Sequence, residues 1–156
     1  MPGHSVEDAV THIQLACFCL EDKLFAVDIM RIREIIVPQQ LSPLPCTSDL
    51  LEGVINLRGT VIPVMSMRKR FDMPIADHAN TGRLLILSLV RQLLALVVDD
   101  VMEVISVPVT EIKPPILHVS GMGMEFILGV CLANDHVVMI LDIDSLLLSP
   151  NQHILC

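Results

Sequence analysis

Two separate stretches of this sequence repeat one strand–turn–strand pattern, and the repeat narrows the folds that the chain can adopt. In residues 53–64, apolar runs flank a short polar centre, Asn56-Leu57-Arg58-Gly59. In residues 129–140, similar runs flank Leu132-Ala133-Asn134-Asp135, and the two patterns align without a gap. Alternating residues that meet at a tight turn predict a β-hairpin, and Gly59 can take the positive φ that such a turn often needs. The sequence therefore predicts two equivalent hairpins.

A second pair of segments repeats in the same order along the chain. Residues 25–36 align with residues 94–105, and Glu34 then falls opposite Glu103. A chance match of apolar patterns is the alternative explanation, but the matched glutamates and glycines argue against it. Two copies of a five-stranded barrel, packed side by side, explain both repeats most simply.

Alternation of apolar residues and enrichment in β-branched residues favour strands from residue 11 to residue 143. The predicted strands are 13–20, 24–27, 32–37, 53–57, 61–65, 84–90, 93–98, 101–107, 126–132 and 137–141. Little helix is predicted, with single turns near residues 66–71 and 143–148. Short strands with frequent turns are typical of small barrels and not of a βαβ sheet. We therefore predict an all-β fold of two tandem five-stranded barrels.

The length of 156 residues suits one domain built from two lobes. We expect this domain to span residues 10–150, with two intertwined barrels at roughly 20–72 and 83–140 that the terminal segments complete. Residues 1–9 are expected to form a flexible N-terminus, and residues 151–156 a C-terminal tail.

Charge and composition exclude several classes of function. A formal net charge of −8 argues against binding nucleic acid through its phosphates, and the absence of Trp and Tyr removes the usual stacking platforms for bases. The basic run Arg68-Lys69-Arg70 is interpreted as capping or solvating the end of a short helix. No apolar run reaches the roughly 18–20 residues of a membrane-spanning helix, and the N-terminus lacks the apolar core of a signal peptide. We expect a cytoplasmic protein without direct membrane insertion.

Residues that often carry chemistry are present, but not in catalytic or metal-binding patterns. Five cysteines occur without a CxxC pair, and Cys17 and Cys19 share one face of a predicted strand, so we expect buried free thiols in a reducing compartment. Asp99-Asp100 is interpreted as a turn between apolar strands. The six histidines are scattered and form no ligand pair. We predict no catalytic residue, no metal site and no cofactor, and therefore a protein that is not an enzyme.

Taken together, these motifs resemble the CheW family of bacterial chemosensory adaptor proteins. The matching elements include Phe25-Ala26-Val27-Asp28-Ile29, Ile32-Arg33-Glu34-Ile35, the 53–64 hairpin and Val98-Asp99-x-Val101-x-Glu103-Val104, and the resemblance covers residues 14–148. It implies two SH3-like barrels without catalytic activity. It also implies an adaptor that joins the cytoplasmic tip of methyl-accepting chemoreceptors to the regulatory domain of the histidine kinase CheA, and that is recruited to membrane-associated receptor arrays.

Two alternatives stay open on the sequence alone. One is the same scaffold serving another chemosensory output, such as surface motility. The other is a small β-barrel ligand-binding module, which needs polar or titratable groups that converge on a pocket. The sequence also departs from the usual Ile-Asp-Leu-Arg of the family, because Met65-Ser66-Met67-Arg68 puts Ser66 at an acidic position.

The resemblance and the turn pattern select candidate partner-binding residues. Arg58 is expected to stand exposed at its hairpin and to hydrogen-bond a receptor or the kinase. Glu34 is expected to form an ion pair that orients Arg58, although Glu103 at the equivalent position equally suggests a shared role in the fold. The other candidates are a polar turn residue and apolar residues that could line a groove for a helical receptor tip: Asn56, Val27, Ile32, Ile36, Val101 and Val104. Because Asn134 is the counterpart of Arg58, the arginine belongs to the first hairpin alone.

Overall fold

The computed structural model describes residues 10–43, 51–74, 82–115 and 124–147. Within these residues the strands are β1 (His12–Leu20), β2 (Lys23–Asp28), β3 (Ile32–Ile36), β4 (Leu51–Leu57), β5 (Thr60–Ser66), β6 (Arg83–Ser88), β7 (Leu93–Val98), β8 (Asp100–Pro108), β9 (Ile127–Ala133) and β10 (His136–Leu141). A short helix, α1 (Met67–Arg70), follows β5, and 3₁₀ turns occupy Ile29–Arg31, Val109–Glu111, Met124–Phe126 and Ile143–Ser145. The prediction of ten strands with little helix is confirmed, and the predicted ends differ by at most two residues.

The strands form two five-stranded sheets of identical topology. The terminal sheet has the order β8-β1-β2-β10-β9 and combines both ends of the chain. The middle sheet has the order β3-β6-β7-β5-β4 and uses the chain between them. In each sheet one pair is parallel, β2 with β10 or β7 with β5, and the other pairs are antiparallel.

Short crossovers explain why each repeat is divided between the two sheets. Only Asp99 separates β7 from β8, and the turn Ile29–Arg31 separates β2 from β3. β3 and β7 both run antiparallel to β6 and are therefore parallel to each other. If β8 took the place of β3 in the middle sheet, the link from β7 to β8 would be a parallel connection within one sheet. A parallel connection within one sheet needs about a dozen residues or more. The chain therefore passes into the other sheet, and the repeats exchange strands reciprocally.

This exchange corrects the predicted barrel bounds. The strand β2 lies within the predicted segment 20–72 but belongs to the terminal sheet, and β6 lies within the segment 83–140 but belongs to the middle sheet. The bounds 20–72 and 83–140 are therefore wrong, although the intertwining of the two barrels is present. The predicted flexible terminus 1–9 and tail 151–156 lie outside the described residues.

The repeat seen in the sequence is present in the register of the strands. The β3–β6 pairing shifts between Ile32 and Glu34, and β1–β8 shifts at the equivalent place, between Ala16 and Phe18. The β4–β5 and β9–β10 hairpins also share one irregularity near their starts. Equivalent bulges in both sheets show that the aligned segments occupy equivalent positions.

Three apolar clusters hold the fold together. One lies inside each sheet, and a third, which we call the interface cluster, joins side chains of both sheets. All four phenylalanines of the chain belong to the interface cluster, and their ring centroids lie 5.2–5.9 Å apart in the sequence Phe18, Phe25, Phe71, Phe126. Burying a phenylalanine side chain stabilises a fold by about 1.5–3 kcal/mol. The two sheets are therefore packed on a substantial aromatic core.

The described cysteines agree with the prediction of free thiols. Cys17 and Cys131 are buried, Cys19 is partly buried, and none of the three forms a disulfide. Burial, together with the neighbouring Cys131, raises the pKa of Cys17 to about 11. A thiol with this pKa is almost entirely protonated at neutral pH and is a poor nucleophile. Cys46 and Cys156 lie outside the described residues.

Candidate interaction surface

The hairpin between β4 and β5 turns through two residues, Arg58 and Gly59. Leu57 pairs with Thr60 across the turn, and φ is +49° at Arg58 and +89° at Gly59. Positive φ at both central positions is the property of a type I′ turn. The predicted positive φ of Gly59 is confirmed. Asn56 Oδ1 accepts a hydrogen bond of 2.9 Å from the Gly59 N–H, so this candidate partner-binding residue has a role in holding the turn.

Arginine is an unusual choice for this turn. A non-glycine residue with positive φ is strained, and asparagine tolerates that conformation better than most residues. The equivalent turn between β9 and β10 places Asn134 at φ +51°. The two turns have the same backbone shape, and only the first carries the less favourable side chain. The fold therefore does not require an arginine at position 58.

The predicted ion pair between Arg58 and Glu34 is present. Arg58 Nη2 donates a short hydrogen bond to Glu34 Oε1, and Nη1 lies 3.3 Å from Oε2. The Arg58 side chain is 71% exposed, so the pair leaves most of the guanidinium open to a partner. The hydrogen bond from Arg58 lowers the pKa of Glu34, and the same bond raises the pKa of Arg58. In the terminal sheet the equivalents of Glu34 and Arg58 are Glu103 and Asn134, so the same ion pair cannot form between those two positions.

The ion pair forms the rim of a surface groove on the middle sheet. Its lining combines charged or polar side chains with apolar side chains of β4–β7, of which Ile62 and Ile86 are buried. The lining residues are Arg33, Glu34, Leu57, Arg58, Thr60, Ile62, Ile86 and Leu93. The apolar surface that a partner can reach in the groove therefore comes from Leu57 and Leu93, next to the exposed guanidinium.

The predicted apolar candidates do not form one exposed groove. Val27 is fully buried in the interface cluster, so its prediction as a partner contact is wrong. Ile32 and Val101 are partly buried against the same cluster, each at the start of the strand after a crossover. Ile36 is partly buried against the cluster inside the middle sheet. Val104 is 52% exposed.

Strand alternation explains this outcome, and it identifies a residue that the sequence reasoning missed. Neighbouring side chains on a strand point to opposite faces, so Ile35 faces outward where Ile36 faces inward. Ile35 is 44% exposed and is the equivalent of Val104 in the middle sheet. In the sequence, Ile35 and Val104 each directly follow one of the aligned glutamates, Glu34 and Glu103.

The basic run on α1 is not a solvated surface. Arg68 is only 12% exposed and forms two hydrogen bonds with the Asp99 carboxylate, of 2.9 and 2.6 Å. Lys69 Nζ lies 2.7 Å from Glu52 Oε2, and the Arg70 guanidinium lies 4.0 Å from the centroid of the Phe126 ring. The run therefore lies on a short helix, as interpreted, but its side chains form ion pairs and a ring contact and are not merely solvated.

The departure at Ser66 has a local explanation. Ser66 is the N-cap of α1, and its hydroxyl accepts a hydrogen bond of 3.4 Å from the Lys69 N–H. Serine and aspartate are both preferred at helix N-caps because each offers an oxygen to the free N–H groups of the first turn. Serine thus replaces the usual aspartate in the capping role.

No helix in the described part of the chain is long and apolar enough to cross a membrane. Among the same residues, no three His, Cys, Asp or Glu side chains are grouped so that they could hold a metal ion.

Comparison with known proteins identifies the family. The model of the CheW-like domain matches residues 14–150. The chain belongs to the CheW-like family. The chemotaxis protein CheW of Treponema pallidum is 32% identical over 137 residues, covering 85% of this chain and 81% of that protein. The chemotaxis protein CheW of Klebsiella aerogenes is 26% identical, covering 86% and 81%.

A solved structure confirms the fold of this CheW-like protein. The scaffolding protein TtCheW of Thermoanaerobacter tengcongensis superposes with a TM-score of 0.83 and 28% sequence identity, over 92% of this chain and 93% of that one. The predicted pair of SH3-like barrels is therefore confirmed. The predicted class, a chemotaxis adaptor of the CheW-like family, is confirmed as well.

The ion pair makes a direct prediction about the titration of Glu34. Replacing Arg58 by asparagine should raise the pKa of Glu34 towards that of an ordinary glutamate, because the hydrogen bond that favours the carboxylate is lost. Any stabilisation from this pair is present above the ordinary glutamate pKa and is lost as the pH falls through the lowered pKa of the folded state. Carboxyl ¹³C chemical shifts followed against pH measure the change, and Glu103 is the matched control. An unchanged Glu34 titration would contradict the ion pair.

Proposed function

We propose that this protein is a non-enzymatic adaptor that couples methyl-accepting chemoreceptors to the regulatory domain of the histidine kinase CheA. The observation that carries the proposal is the exposed arginine at position 58, on a strained turn. The equivalent hairpin has the same backbone shape but carries Asn134 at this position. Strained residues persist where the surrounding structure holds them, and they cluster at functional sites. The CheW-like family and the relatives named for chemotaxis supply the biological setting.

Arg58 is the contact for a polar group of a partner protein. Glu34 occupies part of the guanidinium and orients it, which lowers the conformational entropy that Arg58 loses on binding. The remaining N–H groups can donate to a carboxylate or a backbone carbonyl, and Leu57 and Leu93 in the groove can contact an apolar side chain of the same partner. Arginine is enriched among interface hot spots.

A second contact can form on the outward face of an edge strand, either β3 of the middle sheet or β8 of the terminal sheet. Ile35 on β3 and Val104 on β8 are exposed. Exposed apolar residues of this kind suit the apolar side of an amphipathic helix, such as the helical tip of a receptor. We assign Ile35 and Val104 to direct contact, and we assign a supporting role to three residues that are partly buried against the apolar clusters: Ile32, Ile36 and Val101.

The mechanism needs no chemistry by the adaptor. Binding two partners at two surfaces places them at a defined distance, and receptor binding can change kinase output only through a difference in affinity between two states of the kinase. We place this adaptor in the cytoplasm, recruited to membrane-associated receptor arrays by its partners.

Reconstitution of the signalling complex tests this proposal. Receptor cytoplasmic fragments, arrayed on vesicles, should retain CheA and stimulate its autophosphorylation several-fold only when this protein is added. Co-sedimentation and phosphate incorporation measure the two effects, and a mixture without receptors is the control. Equal CheA retention and activity with and without the protein would overturn the coupling role.

A further inference from the structure

The structure contains two ion-pair clusters at the two crossovers between the sheets. In the first, Arg68 of α1 contacts Asp99, the residue between β7 and β8. In the second, Arg31 in the turn between β2 and β3 contacts Asp144, in the 3₁₀ turn that follows β10. Each crossover thus carries one member of an arginine–aspartate pair, and the segment after the second strand of a hairpin, β5 or β10, carries the other.

The first cluster joins three parts of the molecule. Arg68 follows β5 of the middle sheet, and its Nη1 also lies 3.1 Å from Glu21 Oε1, in the turn between β1 and β2 of the terminal sheet. The Glu21 N–H donates a hydrogen bond of 2.7 Å to Asp99 Oδ2. One guanidinium therefore contacts a crossover and the terminal sheet together.

The second cluster has the same layout with opposite polarity. Arg31 Nη2 lies 2.6 Å from Asp144 Oδ1, and Arg31 Nε donates a bond of 2.8 Å to the backbone carbonyl of Ser88, at the end of β6. Here the crossover supplies the arginine, and the segment after the sheet supplies the aspartate. Arg68 and Asp144 occupy equivalent positions after β5 and β10 but carry opposite charges. Asp99 at one crossover therefore attracts Arg68 and would repel Asp144, whereas Arg31 at the other crossover attracts Asp144 and would repel Arg68.

The ion pairs add directional contacts to the close-packed interface cluster at this junction. Apolar burial is non-directional, and its free energy depends mainly on the area removed from water. A bidentate arginine–carboxylate pair fixes both distance and angle. The Arg68 pair is bidentate with side chains 12% and 26% exposed, whereas the Arg31 pair has one contact with side chains 33% and 38% exposed. The first pair is therefore the less screened and more directional of the two.

We propose that these two clusters are clamps that fix the angle between the sheets, and that the Arg68–Asp99–Glu21 cluster is the dominant clamp. The angle in turn sets the position of Arg58, on the middle sheet, relative to Val104, on the terminal sheet. The clamps are a property of the chain alone and do not depend on the identity of its partners. Loss of the dominant clamp lets the sheets reorient while each sheet keeps its own strand pairing.

Residual dipolar couplings of backbone amides test the clamps, because they report the orientation of each sheet in one frame. In the unmodified protein, one alignment tensor should fit the couplings of both sheets. In Arg68→Gln, the two sheets should need different tensors. Arg31→Gln is the matched variant at the more exposed clamp and should produce a smaller difference. Amide dispersion and slow exchange in β4–β7 verify folding.

The outcomes separate a clamp from a merely stabilising contact. One common tensor in folded Arg68→Gln would overturn the proposal, and a larger tensor difference in Arg31→Gln would overturn the assignment of the dominant clamp. Asp99→Asn removes the same charge pair with a side chain of equal size, so it repeats the test if Arg68→Gln does not fold. Faster exchange of the Glu21 amide without faster exchange in β4–β7 would support local opening at the clamp.

Discussion

Arg58→Asn should weaken partner binding about tenfold or more and leave the fold intact. Asparagine is the residue that the equivalent turn uses at φ +51°, so the backbone at position 58 can keep its φ of +49° with less strain. The exposed guanidinium and its pairing with Glu34 are lost. Loss of a hot-spot arginine typically weakens binding by roughly tenfold or more. We expect binding to a partner to weaken by at least that factor, while Tm stays the same or rises.

The reciprocal substitution, Asn134→Arg, is the matched control for Arg58→Asn. It places an arginine on the same type of turn in the terminal sheet. We expect it to leave partner binding unchanged and to lower Tm slightly. Calorimetry and titration binding measurements on both variants compare the effects. Wild-type affinity in folded Arg58→Asn would show that Arg58 is not part of the binding surface.

Gly53→Ala should destabilise the protein by about 3 kcal/mol, because two separate costs add at one position. Gly53 has φ +151°, a conformation that residues with a side chain rarely adopt. A Cβ at this position would also lie 2.5 Å from the backbone oxygen of Ser42. That oxygen accepts a 2.9 Å hydrogen bond from the Val54 N–H, so it cannot move without breaking the bridge between the two segments.

Gly129→Ala is the internal comparison, because Gly129 is the equivalent residue of the β9–β10 hairpin. Its φ is not positive, and an added Cβ would meet the Ile112 side chain at 2.8 Å and the Lys113 oxygen at 3.0 Å. The Lys113 oxygen also accepts a hydrogen bond, from the Val130 N–H, but its contact is longer than that of the Ser42 oxygen. The closest contact is a side-chain methyl of Ile112, which can move more easily than a backbone oxygen held by a hydrogen bond. Chemical denaturation should therefore give a clearly smaller loss for Gly129→Ala. Equal losses would show that the backbone conformation of Gly53 is not the main cost.

Local features were predictable because they depend on residues near in sequence. The hairpin at Asn56-Leu57-Arg58-Gly59 was predicted from apolar alternation and one glycine, and the structure has it with the expected positive φ. The pair of Arg58 and Glu34 was reached through the family resemblance. Burial of Val27 was missed, because alternation shows which residues share a face and not which face meets the second sheet.

The ten strands, the two equivalent hairpins and the asymmetry between Arg58 and Asn134 follow from the order of the residues alone. The assignment of strands to sheets does not, because equivalent strands of the two repeats have equivalent apolar patterns and could pair either way. The short crossovers resolve that choice, since a single Asp99 cannot span a parallel connection within one sheet. The same exchange brings Arg68 to Asp99 and Arg31 to Asp144, contacts between residues far apart in sequence that no local pattern could indicate.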